Sequence, residues 1–133
     1  FNDLNDIEFV DHTVTVIAGA EIISGSTRMK GGTATKIILN MITTSTMIKL
    51  NKTYGNYMVD LRVMNNKLLN RGVNIISSIT GIVEKEARIL LDKSNGFVKN
   101  AIVMEMLDIP FNESCELLSK YDGSLRKVLN KCD

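Results

Sequence analysis

The sequence predicts a mainly α-helical chain with one or two strands near its N-terminal end. Along two long segments, apolar residues recur at steps of three and four, which is the periodicity of one helix face. A shorter pattern of helix, glycine turn and helix occurs twice in the last fifty residues. A run of β-branched residues at positions 13–17 indicates a strand.

The first elements follow from residue type along the chain. The run TVTVI at 13–17 is apolar and β-branched and stops before Gly19, so it predicts a strand. Residues 19–32 form a loop rich in glycine and hydroxyl groups. From Thr33 to about Leu50 the pattern is helical, although threonine is a poor helix former. We therefore expect packing against a neighbour to stabilise this helix.

A second long helix is predicted after the connector 51–56. Its apolar residues form one stripe that Gly81 ends: Met58, Leu61, Met64, Leu68, Leu69, Val73, Ile76 and Ile79. Two long helices joined by a short connector usually pack antiparallel. The Thr-rich helix has few apolar partners within the chain, so we expect these helices to pair across a dimer.

An internal repeat occupies the C-terminal part. EARILLDKSNGFVKNAIV begins at Glu86, and ESCELLSKYDGSLRKVLN begins 27 residues later at Glu113. Each copy predicts a helix, an Asn-Gly or Asp-Gly turn, and a further helix, with glycine where φ is positive. Pro110 separates the copies, and Asn112 is predicted to cap the following helix.

The repeat sets the expected domain organisation. Two copies are too few for a solenoid, so we expect a compact helical bundle. We place the boundary between one domain over residues 1–81 and a small helical tail domain over residues 82–133.

Composition excludes several classes of function. The chain has 133 residues and a net charge of +1, so nothing favours nucleic acid or an anionic membrane as a partner. No apolar run approaches the ~18 residues that span a bilayer. The N-terminal residues lack the basic start of a signal peptide, so we expect a cytoplasmic protein. Because it begins at Phe1 and not at methionine, three origins stay open: a fragment, a processed product or an isolated domain.

Cysteine and histidine usage argues against metal and thiol chemistry. Cys115 and Cys132 lack CxxC spacing and have no histidine nearby, so neither a disulfide framework nor a metal site is expected. His12 is the single histidine, and a lone histidine is more often structural than catalytic.

The segment GSTRMKGGTATK, which begins at Gly25, carries the chemistry. It follows a predicted strand and enters a helix, whose N-terminus favours an anion. It also supplies the hydroxyls of Ser26 and Thr27, the guanidinium of Arg28 and the ammonium groups of Lys30 and Lys36. These groups suit a phosphorylated small molecule. The same residues could equally form a helix cap and a turn with solvated basic side chains.

This segment, with IAGAEIIS before it and YGNYMVDLRVMNNKL after it, resembles the signature region of the N-acetylmuramic acid 6-phosphate etherases and of glucokinase regulatory protein. The resemblance runs from about Thr13 to the end, and the tail resembles the small UBA-like helical module of these etherases. Ala20 stands where the family usually has proline, and Gly31 where many members have alanine. Neither departure removes a polar group.

The resemblance implies the C-terminal part of an α/β sugar isomerase (SIS) fold in a homodimer. It also implies a lyase that cleaves the lactyl ether of N-acetylmuramic acid 6-phosphate to N-acetylglucosamine 6-phosphate and D-lactate. No metal or organic cofactor is expected. The family's acid/base glutamates lie upstream of the matched region, so we expect no catalytic residue in this chain and no activity from it alone.

The resemblance also assigns site residues. In the regulatory protein, the matching loop contacts a sugar phosphate, which implies Ser26, Thr27 and Arg28, with Lys30 beside them, as phosphate-binding residues. Glu21 is expected to position the ligand, although a solvated or helix-pairing role is the plainer alternative. Two other functions stay open at this point: a non-catalytic sugar-phosphate sensor and a helical interaction module without a ligand.

Overall fold

The computed structural model describes residues 9–130 and divides into two compact units, one up to Thr46 and one from Met47 onward. The described residues form six helices and one two-stranded sheet, which confirms the mainly helical fold class. The elements are α1 (Lys30–Lys49), β1 (Thr53–Tyr54), β2 (Tyr57–Met58), α2 (Asn66–Thr80), α3 (Glu84–Lys93), α4 (Val98–Leu107), α5 (Phe111–Lys120) and α6 (Leu125–Leu129). The predicted boundary between residues 81 and 82 stays a prediction about the complete protein.

Helix α1 dominates the first unit and is largely uncovered. Of its 20 residues, only Gly31 is buried. Its exposed apolar side chains have between 44% and 64% of their surface accessible: Ile37, Leu39, Met41, Ile42, Met47 and Ile48. The expectation that this helix has few partners within the chain stays a prediction. Its antiparallel pairing with the next long helix stays a prediction.

The predicted strand at residues 13–17 is wrong. Residues 12–20 have no regular secondary structure. Val14 and Val16 instead lie beside α1, where they border a concavity of about 170 Å³ with Ala34 and Ile38. A strand needs a neighbour for its backbone hydrogen bonds, and the described residues offer this segment none. Val14 and Val16 therefore lie beside the helix while staying exposed, and the segment forms no ladder among the described residues.

Of the two observed strands, β1 lies in the predicted connector 51–56, and β2 occupies positions predicted to begin the second long helix. Thr53 pairs with Met58 and Tyr54 with Tyr57, in antiparallel register. Gly55 takes a φ of 57° in the turn between them, a conformation that glycine adopts without a Cβ clash.

Beyond the hairpin the chain stays extended, so the second long helix begins later than predicted. The Val63 amide donates to the Gly96 carbonyl at 2.9 Å, and the Val98 amide donates to the Leu61 carbonyl at 3.1 Å. These bonds hold residues 61–63 against the turn between α3 and α4. Leu61 and Met64 of the expected helical stripe are therefore not on a helix.

Asn65 sets the actual start of α2. Its backbone is extended, with φ −156° and ψ 169°, and its side-chain oxygen accepts a hydrogen bond from the Leu68 amide at 3.0 Å. This N-cap geometry stops the helix from continuing backward through Met58. Gly81 ends α2 in the left-handed conformation, as predicted.

The second unit has one hydrophobic core, to which α2, α3, α4 and the hairpin region contribute. Ile76, Leu91 and Ile102 are its largest completely covered side chains. Leu125 and Val128 of the last helix are also buried. Helix α4 is buried along its first six residues, which places it at the centre of the unit.

The internal repeat is confirmed down to its backbone hydrogen bonds. The Gly96 amide donates to the Leu91 carbonyl at 2.9 Å, and 27 residues later the Gly123 amide donates to the Leu118 carbonyl at 2.7 Å. Both glycines have positive φ, 79° and 69°. Each copy is thus a helix, a tight turn and a second helix, although α6 is shorter than α4.

Helix α5 starts differently from the prediction. Pro110 occupies the N-cap position with φ −71°, and Asn112 lies inside the helix. Proline suits a helix start because its fixed φ fits and its missing amide has no intrahelical acceptor there. The prediction that Asn112 caps this helix is wrong, whereas the position of Pro110 outside the helix is confirmed.

Gly72 provides a test of the packing between α2 and the extended segment. A Cβ atom there would lie 3.0 Å from Val63, 3.2 Å from Val98 and 3.3 Å from Leu91. Glycine-to-alanine changes inside helices usually stabilise by up to about 1 kcal/mol. We expect Gly72→Ala to destabilise the chain by about 1–3 kcal/mol instead, because three core side chains would have to move. Urea unfolding measures the change, with the exposed Asn74→Ala as control; equal stability of both variants would contradict the packing.

Candidate functional site

The start of α1 is capped by a carboxylate from the preceding loop. Glu21 Oε2 accepts a hydrogen bond from the Lys30 amide at 3.0 Å, and Oε1 accepts one from the Gly31 amide at 2.8 Å. Both oxygens thus satisfy amides that would otherwise lack a partner in the first turn. Because of this cap the helix begins at Lys30, three residues before the predicted start at Thr33.

The cap also changes the acidity of Glu21. Hydrogen bonds from the Gly31 and Lys30 amides hold the pKa of Glu21 below its ordinary value, and the nearby Lys30 charge adds to the effect. Since the pKa is lower in the folded chain, the stabilisation is present above the unfolded-state pKa. It is lost as the pH falls through the folded-state pKa.

The loop between Glu21 and α1 is held by its own backbone. The Gly32 amide donates to the Thr27 carbonyl at 2.8 Å, and the Ser26 amide donates to the Ile23 carbonyl at 3.1 Å. Lys30 folds back so that its Nζ donates to the Ala20 carbonyl at 2.6 Å. The Lys30 ammonium is therefore engaged within the loop.

An open concavity of about 430 Å³ lies beside this helix start. It is lined by Thr27, Gly31, Gly32, Thr35, Lys36, Leu39 and Asn40. Of the predicted site residues, Thr27 faces it, together with Lys36, whose charge the sequence had indicated. Ser26 and Arg28 are not among its lining residues. Arg28 is exposed and forms no hydrogen bond or ion pair within residues 9–130.

The arrangement limits how an anion could bind here. Two first-turn amides of α1 are already taken by Glu21, so they do not serve as free donors. The remaining donors are side chains: the hydroxyl of Thr27, the guanidinium of Arg28 and the ammonium of Lys36. Charged donors of this kind suit a phosphate group, with Arg28 able to offer two parallel N–H bonds.

Three similar proteins cover nearly the whole chain. The chain is 45% identical over 120 residues to N-acetylmuramic acid 6-phosphate etherase 1 of Bacillus licheniformis, covering 90% of this chain and 40% of the relative. Identity to the Mycoplasma mycoides etherase is 46% over 124 residues, 93% of this chain and 41% of the relative. Identity to the Rhodopirellula baltica etherase is 47% over 116 residues, which cover 87% of this chain and 38% of the relative.

The chain is similar to N-acetylmuramic acid 6-phosphate etherases over about nine-tenths of its length. The resemblance predicted from the loop segment is thereby confirmed. A family profile that describes the C-terminal lid domain of glucokinase regulatory protein also matches residues 55–110. The chain spans about 40% of the length of the etherases it matches.

A second basic concavity was missed by sequence reasoning. It measures about 420 Å³ and is bordered by Tyr57, Lys67, Arg71 and Asn74. Lys67 and Arg71 are one helical turn apart on α2, a spacing that puts both side chains on one face. That spacing could have been read from the sequence, because the predicted second helix already contained both residues.

Other candidate groups are isolated in the structure. Within residues 9–130, no three His, Cys, Asp or Glu side chains are placed to share a metal ion. His12 is exposed, and Cys115 is an exposed free thiol whose sulfur accepts a hydrogen bond from Asn100 at 3.2 Å. Cys132 lies outside the described residues. None of the described helices is long and apolar enough to cross a bilayer.

The Glu21 cap can be tested through the amides that it accepts from. We expect the Gly31 amide resonance to titrate with a midpoint below the ordinary range for glutamate, because deprotonated Glu21 is its acceptor. We expect Glu21→Gln to abolish that titration and to speed hydrogen exchange at Lys30 and Gly31. Glu84→Gln, an acidic residue in the first turn of α3, is the matched control. A Gly31 resonance that is insensitive to pH would refute the cap.

Proposed function

We propose that this chain is part of an N-acetylmuramic acid 6-phosphate etherase, a carbon–oxygen lyase. The proposed reaction cleaves the lactyl ether to give N-acetylglucosamine 6-phosphate and D-lactate, as cell-wall sugars are recycled. The observation that carries the proposal is identity of 45–47% to proteins with that name over about nine-tenths of the chain. An alignment over 116–124 of the 133 residues includes both the polar loop and the helical part.

In this proposal the loop before α1 binds the 6-phosphate of the sugar. Thr27 and Lys36 line the concavity beside the helix start. Arg28 follows Thr27 in the sequence and is exposed to solvent. It has no competing ion pair within the described residues. Ser26 completes the predicted set, and Lys30 contributes less because Ala20 holds its ammonium group.

Glu21 supports the same proposal in a structural role. Its carboxylate fixes the first turn of α1 and so orders the backbone that carries the phosphate-binding side chains. We propose that Glu21 positions this loop and takes no part in proton transfer. The acid/base groups, the SIS fold and the dimer are proposed to belong to the complete enzyme. The exposed apolar surface of α1 supports a partner there.

A non-catalytic sugar-phosphate regulator is the second candidate function. It is favoured by the match to the lid domain of glucokinase regulatory protein over residues 55–110. That match leaves out the loop before α1, whereas the etherases match it as part of about 90% of the chain. The etherase is therefore the better-supported proposal.

The chain alone is expected to be inactive. It spans about 40% of the length of the related etherases, and we propose that the acid/base groups lie outside it. We expect no release of D-lactate from N-acetylmuramic acid 6-phosphate by the 133-residue chain, measured with a lactate-specific dehydrogenase assay. Turnover near that of a complete etherase would show that the acid/base groups lie within these residues.

Arg28 tests the phosphate-binding role of the loop. In an active protein containing this chain, we expect Arg28→Ala to raise KM roughly tenfold or more, because a charge-assisted contact to phosphate is lost. Arg126→Ala, an exposed arginine on α6, is the control and should leave KM unchanged. Unchanged KM and kcat in Arg28→Ala would remove Arg28 from the proposed site.

A further inference from the structure

A further concavity, formed entirely within the second unit, combines buried charge with a helix start. It measures about 190 Å³ and lies between the extended segment after the hairpin and the first turn of α4. Its polar lining consists of Asp60, Arg62, Lys99 and Asn100. Lys99 and Asn100 are each only 8% exposed, so the packing fixes the inner wall.

The charges around this concavity do not balance. Asp60 is its one acidic lining residue, and Lys99 approaches the Asp60 carboxylate at 3.0 Å. Lys52 pairs with the other oxygen of the same carboxylate. Arg62 lies over the Phe97 ring at 4.8 Å and pairs with no carboxylate within residues 9–130. Two lysines thus share one carboxylate, and Arg62 adds a third cation without a carboxylate partner among the described residues. The partly buried wall weakens solvent screening of this excess positive charge.

The first turn of α4 adds uncommitted donors to this wall. The amides of Lys99 and Asn100 have no acceptor among the described residues, although the Val98 amide donates to Leu61. In the second copy of the repeat, Ser124 accepts from the Lys127 amide at 3.4 Å. The residue equivalent to Ser124 is Phe97, which has no side-chain acceptor, so the amide equivalent to that of Lys127 stays free.

Asn100 supplies an acceptor to the same concavity. Its Nδ2 donates to Ser114 Oγ at 3.0 Å and to Cys115 Sγ at 3.2 Å, which fixes the orientation of the amide group. Its oxygen has no donor within the described residues. A nine-tenths buried amide with an unpaired oxygen suits a ligand that carries a hydroxyl beside its negative charge.

We propose that this concavity binds the phosphoryl group of a small phosphate monoester or of inorganic phosphate. The Lys99 and Asn100 amides donate to its oxygens, Arg62 pairs with its charge, and the Asn100 oxygen accepts from a hydroxyl. The site does not depend on the etherase assignment, because all of its residues lie in the second unit, away in sequence from the loop before α1.

The experiment is a titration of the ¹⁵N-labelled 133-residue chain with inorganic phosphate at constant ionic strength, followed by amide resonances. Saturable shifts of the Lys99 and Asn100 amide resonances are expected with phosphate. A control titration with chloride should not produce shifts of that size. Glycerol phosphate in place of inorganic phosphate should bind more tightly if the Asn100 oxygen accepts from a hydroxyl. Shifts that do not saturate, or that chloride reproduces, would overturn the proposal.

Variants separate binding from a purely structural role. We expect Arg62→Gln to weaken phosphate binding roughly tenfold, since it removes an exposed charge-assisted donor without touching the core. Arg126→Gln, at the repeat position of Lys99 but exposed, should leave binding unchanged. Asp60→Asn should tighten binding, because it removes the only carboxylate among the described lining residues. Unchanged affinity in Arg62→Gln, or weaker binding in a folded Asp60→Asn variant, would reject the site.

Discussion

Two backbone hydrogen bonds between the extended segment 61–63 and the turn after α3 organise the second unit. They join Val63 to Gly96 and Val98 to Leu61, and so fasten the hairpin region to the centre of the repeat. Gly72 must lack a side chain because Val63 is held against α2 at this point. The same bonds bring Asp60 and Arg62 beside the first turn of α4, which contains Lys99 and Asn100. The burial and the charge of that concavity both follow from this pairing.

The first-turn amides of α1 and α4 differ in whether they have an acceptor. At α1, Glu21 supplies an internal carboxylate, so the loop meets any external anion with side chains only. At α4, neither a serine nor a carboxylate occupies the equivalent place, and two amides stay without an acceptor. Burial alone would raise the pKa of Asp60, but hydrogen bonds from Lys52 and Lys99 outweigh it and lower the pKa. Asp60 therefore stays charged beside the lysines, and it offsets only part of their charge.

The two copies of the repeat share a backbone but differ in surface. Both turns use the same glycine position and the same hydrogen bond to the preceding helix. Lys99 is buried, whereas the equivalent Arg126 is exposed, because only the first turn is covered by the segment after the hairpin. One repeated pattern therefore gives a charged concavity in one copy and a solvated face in the other.

The sequence by itself determined the helical class, the repeat with its glycine turns, the ends of both long helices and the polar loop shared with the etherases. These features depend on residues close together in the chain, such as the left-handed glycines and the apolar spacing of α1. Tertiary structure decided the absence of a strand at residues 13–17, the late start of α2, the cap from Glu21 and the burial of Lys99. Each of those depends on a backbone or side-chain partner distant in sequence, and local propensity carries no information about which partner is reached.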